Sequence, residues 1–290
     1  MQQFKIGSRR SERSATVELF PPCRCFVLLR DGGRFPAHPS GELRARAIQK
    51  GRTMTQRATT GATDEDEILR VFQSKAETKA FYDKISHVYD LLSEHNEGPV
   101  RRTGLEKLDA QRGEKVLEIG FGTGHSLVSL AQSVGPTGKV YGLDLSERML
   151  DVSRDNLHKA GLAERVELIC GDAVQLPYPP DSLDAIFMSF TLELFDTPEI
   201  PKVLAECQRV LRPGGRIAVV GVSKEGESGV TLHAFEWSHR HFPNLVDCRP
   251  IFVRQSLEAA GFRIESTERQ MMWVPVEVVL GFKADDKSTQ

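Results

Sequence analysis

The chain has 290 residues, an ordinary composition, a formal net charge of −2 and five cysteines. This admits one sizeable α/β domain with appendages and argues against a disulfide framework. No uninterrupted apolar run reaches about 18 residues, so no transmembrane helix is expected. The charge is uneven: residues 1–53 carry eleven Lys/Arg against four acids, or +7, which leaves −9 for the remainder and no broad electrostatic support for a nucleic-acid partner.

Residues 1–63 read as a basic, disordered extension. VELF and CFVLLR are short apolar runs set among Pro, Gly and Arg, with no small-residue cleavage site behind them. For residues 1–53 a targeting-like extension, an Arg-rich transit peptide and sequence upstream of a start at Met54 all stay open. Cys23 and Cys25 are one residue apart, too close for a C-x-x-C pair. Residues 64–110 read as N-terminal helices that cover a site. Over 64–95, Ile68, Leu69, Phe72, Ala76, Ala80, Phe81, Ile85, Val88, Tyr89 and Leu92 recur largely at spacings of three and four. They fit one helix, or two with a break near Gln73–Ser74. A further helix is predicted over 99–110, after Gly98-Pro99.

From Lys115 the rhythm becomes strand, helix, strand, helix. Strands are predicted at Lys115–Ile119, Lys139–Leu143, Val166–Cys170, Asp184–Phe190 and Arg216–Val222. Helices are predicted from Thr123 or Gly124 to Val134, from the Ser146 cap to Ala160, and over Glu199–Leu211, the last ended by Pro213-Gly214-Gly215. Residues 224–249 form a lid-like insert with scattered aromatics and histidines. A helix from Pro250 to Ala260 and two strands, Phe262–Met272 and Val276–Phe282, complete a domain over 111–283, before a polar tail at 284–290. Cys170 and Cys207 read as small buried hydrophobes, and so few cysteines suit a reducing, cytoplasmic setting. The succession predicts an α/β fold with a mostly parallel sheet covered on both faces.

Three features carry chemistry. In VLEIGFGTG, glycines at 120, 122 and 124 let the backbone fold tightly and approach a ligand at a helix start. The dinucleotide fingerprint G-x-G-x-x-G has its third glycine where His125 stands, which weakens a pyrophosphate reading. Asp144, at the end of the second strand and 24 residues beyond Gly120, is where a carboxylate meets ribose hydroxyls. Gly171-Asp172 follows the third strand, where a carboxylate can accept from an exocyclic adenine amine.

With VYGLDLSERML, ICGDAVQLPYPPDSLDAIFMSF and CQRVLRPGGRIAVV in order behind the glycine turn, residues 70–282 resemble a class I S-adenosylmethionine-dependent methyltransferase. FYDKISHVYD further resembles the start of quinone-biosynthesis C-methyltransferases. The resemblance implies a Rossmann-like fold with a seven-stranded sheet and S-adenosyl-L-methionine as cofactor. It implies Glu118 near the methionine amine, Gly120, Gly122 and Gly124 beneath the methionine and ribose, and Asp144 on the 2′ and 3′ hydroxyls. Leu145 and Met149 become neighbours of adenine, Asp172 binds its amine, Ala173 lines the ring and Ser189 sits near the sulfonium. Phe81 and Tyr89 cover the cofactor.

The implied reaction is direct displacement, which needs an aligned acceptor, excluded water and no metal. After the fourth strand stands TLELF, not the N/D-P-P-Y/F of enzymes acting on DNA or peptide amines. Phe235, Trp237 and Phe242 suit a hydrophobic ring or chain, and His87, His239 and His241 are candidates to take a phenolic proton. A quinol or phenolic ring carbon is the favoured acceptor. Phosphatidylethanolamine, as in the related phospholipid N-methyltransferases, a soluble metabolite, a non-catalytic subunit of the same fold and an NAD enzyme stay open. Peripheral membrane contact would suit a lipid-like substrate.

Overall fold

The computed structural model describes residues 68–71, 74–225, 236, 237, 239 and 248–285, with 81–96 described by their backbone. The N-terminal extension, the acidic stretch 64–67, most of the 224–249 insert and residues 286–290 lie outside the described residues.

Ser74 opens the first helix, α1 (Lys75–Leu108). Its hydroxyl accepts from the Glu77 amide while the Glu77 carboxylate accepts from the Ser74 amide, so two helix-end donors are satisfied reciprocally. The helix thus begins at the break near Gln73–Ser74, and residues 68–71 approach it as non-helical chain. Gly98-Pro99 does not open a second helix. One helix runs through both residues, with Pro99 omitting a single ladder bond.

Seven strands follow in one sheet: β1 (Lys115–Ile119), β2 (Lys139–Asp144), β3 (Val166–Cys170), β4 (Leu183–Ser189), β5 (Leu211–Val222), β6 (Arg263–Met271) and β7 (Pro275–Phe282). Their order is β3-β2-β1-β4-β5-β7-β6. The first five pair in parallel, and β7 lies antiparallel between β5 and β6. This is the seven-stranded, mostly parallel sheet expected. Further α-helices among the described residues include α2 (His125–Val134), α3 (Glu147–Lys159), α4 (Ile200–Val210) and α5 (Val253–Ala259).

The two-residue period of the strands sends alternate side chains to opposite faces. Val116, Val140, Phe187, Val220 and Val278 pack with Leu108 of α1, Leu127 and Leu130 of α2 and Leu157 of α3. Leu117, Ile119, Leu143, Ile186 and Val219 pack with Val203 and Leu204 of α4 and with Val253 and Leu257 of α5. Both faces are covered, which is why the strands read as near-continuous apolar runs. On α1, a Cβ at Gly104 would stand 2.5 Å from Val220 Cγ2, so a glycine there sets how deeply the helix seats on the sheet.

Two element starts and one cysteine's burial differ notably from expectation. β5 begins at Leu211 and includes Pro213-Gly214-Gly215, opposite a register shift between Leu183 and Ala185; a bulge tolerates a proline that donates nothing. α5 begins at Val253 because Ile251 is held extended by a parallel bridge to Ser223. Cys207 is buried on α4 as expected, but Cys170 is exposed, since β3 is an edge strand of the sheet.

Candidate functional site

The strand order reverses between β1 and β4, and at such a switch point the carboxyl ends of strands leave a crevice. An open cleft there encloses about 880 Å³, solvent at its mouth included. Its floor is the turn after β1. Gly120, Gly122 and Gly124 all have positive φ. Gly120, at φ +72°, admits no side chain: a Cβ would lie 2.3 Å from Thr191 Oγ1 and 2.4 Å from its Cγ2. The turn is pinned from α3, where Ser153 Oγ donates to Gly122 O at 2.8 Å and Asn156 Nδ2 to Thr123 O at 3.0 Å.

Two carboxylates stand at the ends of adjacent strands and line this cleft. Asp144, the last residue of β2, accepts from Gly122 N on Oδ2 and from Ser146 N on Oδ1, each at 2.9 Å. Asp172, two residues beyond β3, accepts from Val174 N on Oδ1 at 3.1 Å. Its Oδ2 lies 2.5 Å from the Lys75 ammonium, which is also 2.7 Å from Glu199 Oε1. Burial opposes the charge on Lys75, but its bonds to Asp172 and Glu199 outweigh that and raise its pKa above the ordinary ammonium value. Leu145, Met149 and Ala173 line the cleft with these carboxylates.

The opposite wall follows β4. Phe190 takes φ +51°, a left-handed conformation uncommon outside glycine, where the chain turns out of the strand. Thr191, Leu194, Phe195 and Asp196 then line the cleft. Asp196 is gripped by the Arg70 guanidinium at 2.8 and 2.6 Å and by the Val71 and Thr197 amides at 3.1 and 2.9 Å. Hydrogen bonding to Arg70 outweighs desolvation and, with the two amides, draws its carboxyl from 3.8 down to about 2. Beneath this wall Arg249 is fully buried. It donates to Glu193 O at 2.5 Å, Phe195 O at 2.8 Å and Thr197 Oγ1 at 3.2 Å, and to Leu69 O. One guanidinium thus ties the post-β4 wall to the chain entering α1. Burial lowers its pKa to about 10, against the pull of Asp196 and Glu193.

Of the residues expected at a cofactor, Gly120, Gly122, Asp144, Leu145, Met149, Asp172 and Ala173 line this one cleft. Glu118 and Ser189 are buried on β1 and β4 behind it, and Gly124 caps α2. Phe81, His87 and Tyr89 lie on α1 in the stretch described by its backbone. His239 is buried, and its Nε2 donates to Arg70 O at 3.2 Å, away from the cleft lining. Trp237 is exposed; Phe235, His241 and Phe242 lie outside the described residues. Val71, Lys75, Thr78, Thr191, Phe195, Asp196 and Glu199 line the cleft without having been expected there. The capping box Ser74-Lys75-Ala76-Glu77 was the available signal for the first of these walls. Among the described residues, no group of three His, Cys, Asp or Glu is placed to hold a metal ion, and no helix is long and apolar enough to cross a membrane.

Comparison with known proteins adds to this geometry. A family described as a methyltransferase domain matches residues 116–215. The chain is 38% identical over 151 residues to the demethylmenaquinone methyltransferase of Geobacillus stearothermophilus, covering 52% of this chain and 61% of that one. It is 34% identical over 167 residues to the protein of the same name from Listeria welshimeri, covering 58% and 67%. The chain therefore spans less than two thirds of the Geobacillus protein's length. A solved structure of a SAM-dependent methyltransferase from Aquifex aeolicus shares the fold, with a TM-score of 0.51 at 24% identity over 73% of this chain and 100% of that one.

Proposed function

The chain belongs to the class I S-adenosylmethionine-dependent methyltransferases, and from that premise we propose that it transfers a methyl group from S-adenosylmethionine to a ring carbon of a quinol. The observation that carries the cofactor assignment is the pair Asp144 and Asp172, at the ends of adjacent strands and lining one cleft with Leu145, Met149 and Ala173. Adenosine fits this donor set: Asp144, whose two oxygens accept hydrogen bonds at the cleft floor, takes the 2′ and 3′ hydroxyls. Asp172 takes the adenine amine, and Leu145, Met149 and Ala173 flank the base. Gly120 and Gly122 pass beneath the ribose and methionine, where Gly120 leaves no room for a Cβ. Glu118, Gly124, Ser189, Phe81 and Tyr89 complete the set we assign to the methionine end and its cover.

When bound, S-adenosylmethionine supplies an electrophilic methyl on a sulfonium with a neutral leaving group. The chain's own part is position, field and dryness. Asp144, Asp172, Asp196 and Glu199 line the cleft with the ammonium of Lys75, and Arg70 pairs with Asp196 from outside the lining; carboxylates stay in excess, a balance that favours a cationic ligand. Val71, Leu194 and Phe195 give an apolar wall that excludes water. A quinol carbon becomes nucleophilic as a ring hydroxyl loses its proton. His239 is engaged with the Arg70 carbonyl, so His87 and His241 are the candidates we put forward for that proton.

Similarity to proteins named demethylmenaquinone methyltransferases supports a quinol acceptor. The test is incubation of the full chain with methyl-labelled S-adenosylmethionine and a total lipid extract supplemented with a reduced demethylquinone, followed by mass spectrometry. Label on the quinone ring is expected. Label in a phospholipid headgroup, or in water-soluble metabolites, overturns the quinol acceptor.

A further inference from the structure

The adenine carboxylate is not free for its ligand. Asp172 Oδ1 accepts from the Val174 amide and Oδ2 lies 2.5 Å from the Lys75 ammonium, so each oxygen already serves one donor. Both Lys75 and adenine's exocyclic amine are donors, and both draw on this one carboxylate, where the charged ammonium makes the stronger bond. We propose that Lys75 is an internal competitor for the adenine subsite, holding Asp172 until the adenine amine displaces it onto Glu199. The proposal rests on the assignment of adenine to Asp172 made above.

Three features make the exchange physically reasonable. The Lys75 side chain is 40% exposed and flexible, so it can swing without moving α1. The helix itself stays put, because the Ser74–Glu77 cap fixes its start and Asp196 and Arg249 hold the chain before it. The displaced ammonium also keeps a partner, since Glu199 Oε1 already lies 2.7 Å from it. The cost of the swap is therefore one ion pair out of two rather than a bare charge.

The chemistry extends to selectivity. A 6-amino purine offers Lys75 nothing to donate to at that position, whereas a 6-oxo purine presents an acceptor. With Lys75 present the two bases are bound more nearly alike than Asp172 by itself would bind them. Lys75 thus narrows the site's preference for the 6-amino base as well as competing with it.

The test is calorimetric titration of the full chain with S-adenosylhomocysteine and its deaminated analogue, S-inosylhomocysteine. Lys75→Met is expected to bind S-adenosylhomocysteine about fivefold tighter, the scale of one partly exposed ion pair, and the inosyl analogue no tighter. Glu199→Gln, in which the displaced ammonium loses its second berth, is expected to bind S-adenosylhomocysteine more weakly than wild type. Unchanged or weaker binding by a folded Lys75→Met overturns the proposal. If that variant does not fold, Glu199→Gln decides, and binding as tight as wild type overturns it. Wild-type protein that binds neither ligand overturns the cofactor assignment and this proposal together, whereas wild-type binding with no effect of Lys75→Met overturns this proposal and leaves the assignment standing.

Discussion

Replacing Asp144 with alanine removes one carboxylate from two tasks. In the structure it joins the turn after β1 to the turn before α3, accepting from Gly122 N and Ser146 N at 2.9 Å each. In the proposed complex it also takes both ribose hydroxyls. Hydrogen bonds to a charged group contribute about 1.5–3 kcal/mol, and two bonds to one diol are not additive, so we set the net loss of binding at about 1.5–3 kcal/mol in total. That corresponds to a Kd for S-adenosylhomocysteine raised roughly 10- to 150-fold. The two amides left without their acceptor also cost stability, on the order of 1–3 kcal/mol. Asp144→Asn separates the tasks, because its single acceptor oxygen can serve one amide and its NH₂ must face the other. Calorimetry and urea unfolding on the same preparations read binding and stability independently. An analogue lacking both ribose hydroxyls closes the cycle: wild type should lose affinity for it, and Asp144→Ala should lose almost nothing further. A folded Asp144→Ala with a Kd within about twofold of wild type would refute the ribose role.

Three further outcomes follow from named contacts. Gly120→Ala forces a Cβ to within 2.3 Å of Thr191 Oγ1 at a φ of +72°, so it should lower the unfolding midpoint and weaken cofactor binding at least about tenfold. Adding Thr191→Ala should recover part of both losses, and no recovery would contradict a steric cause. Arg249→Met strands the carbonyls of Leu69, Glu193 and Phe195, each worth about 1–3 kcal/mol when buried and unpaired, so a loss of about 3 kcal/mol or more is expected in urea unfolding. A loss below about 1 kcal/mol would deny the clamp its role. The folded pKa of Asp196 lies near 2, below its ordinary 3.8, so its pairing stabilises the fold fully above pH 4 and is lost as pH falls toward 2. The stability gap between wild type and Arg70→Gln at pH 5 should accordingly shrink as pH falls through 2; a gap that stays constant across that range speaks against the ion pair as its origin.

The parallel half of the sheet was legible because its strands are covered on both faces and so appear as apolar runs between turn residues. The cleft floor was legible for a different reason: Gly120, Asp144 and Asp172 all sit at strand ends, whose positions follow from the same runs. Less visible was everything set by contacts distant in sequence. Lys75 reaches Asp172 across 97 positions and Arg249 reaches Leu69 across 180. Their spacing carries no local pattern. The run of α1 through Pro99 likewise depends on packing against the sheet, where Gly104 meets Val220, and outweighs the local preference to stop.

Arg249 has one more consequence. Apart from the Thr197 hydroxyl, every acceptor it uses is a main-chain oxygen. The clamp therefore reads the path of the chain at residues 69, 193 and 195; of their side chains, the Glu193 carboxylate alone attracts the guanidinium. Substitutions at Phe195, which faces the cleft, can reshape the space offered to an acceptor while the frame around it keeps its bonds. Mutational latitude and structural rigidity thus meet at Leu69 and Phe195, the first in their side chains and the second in their backbone.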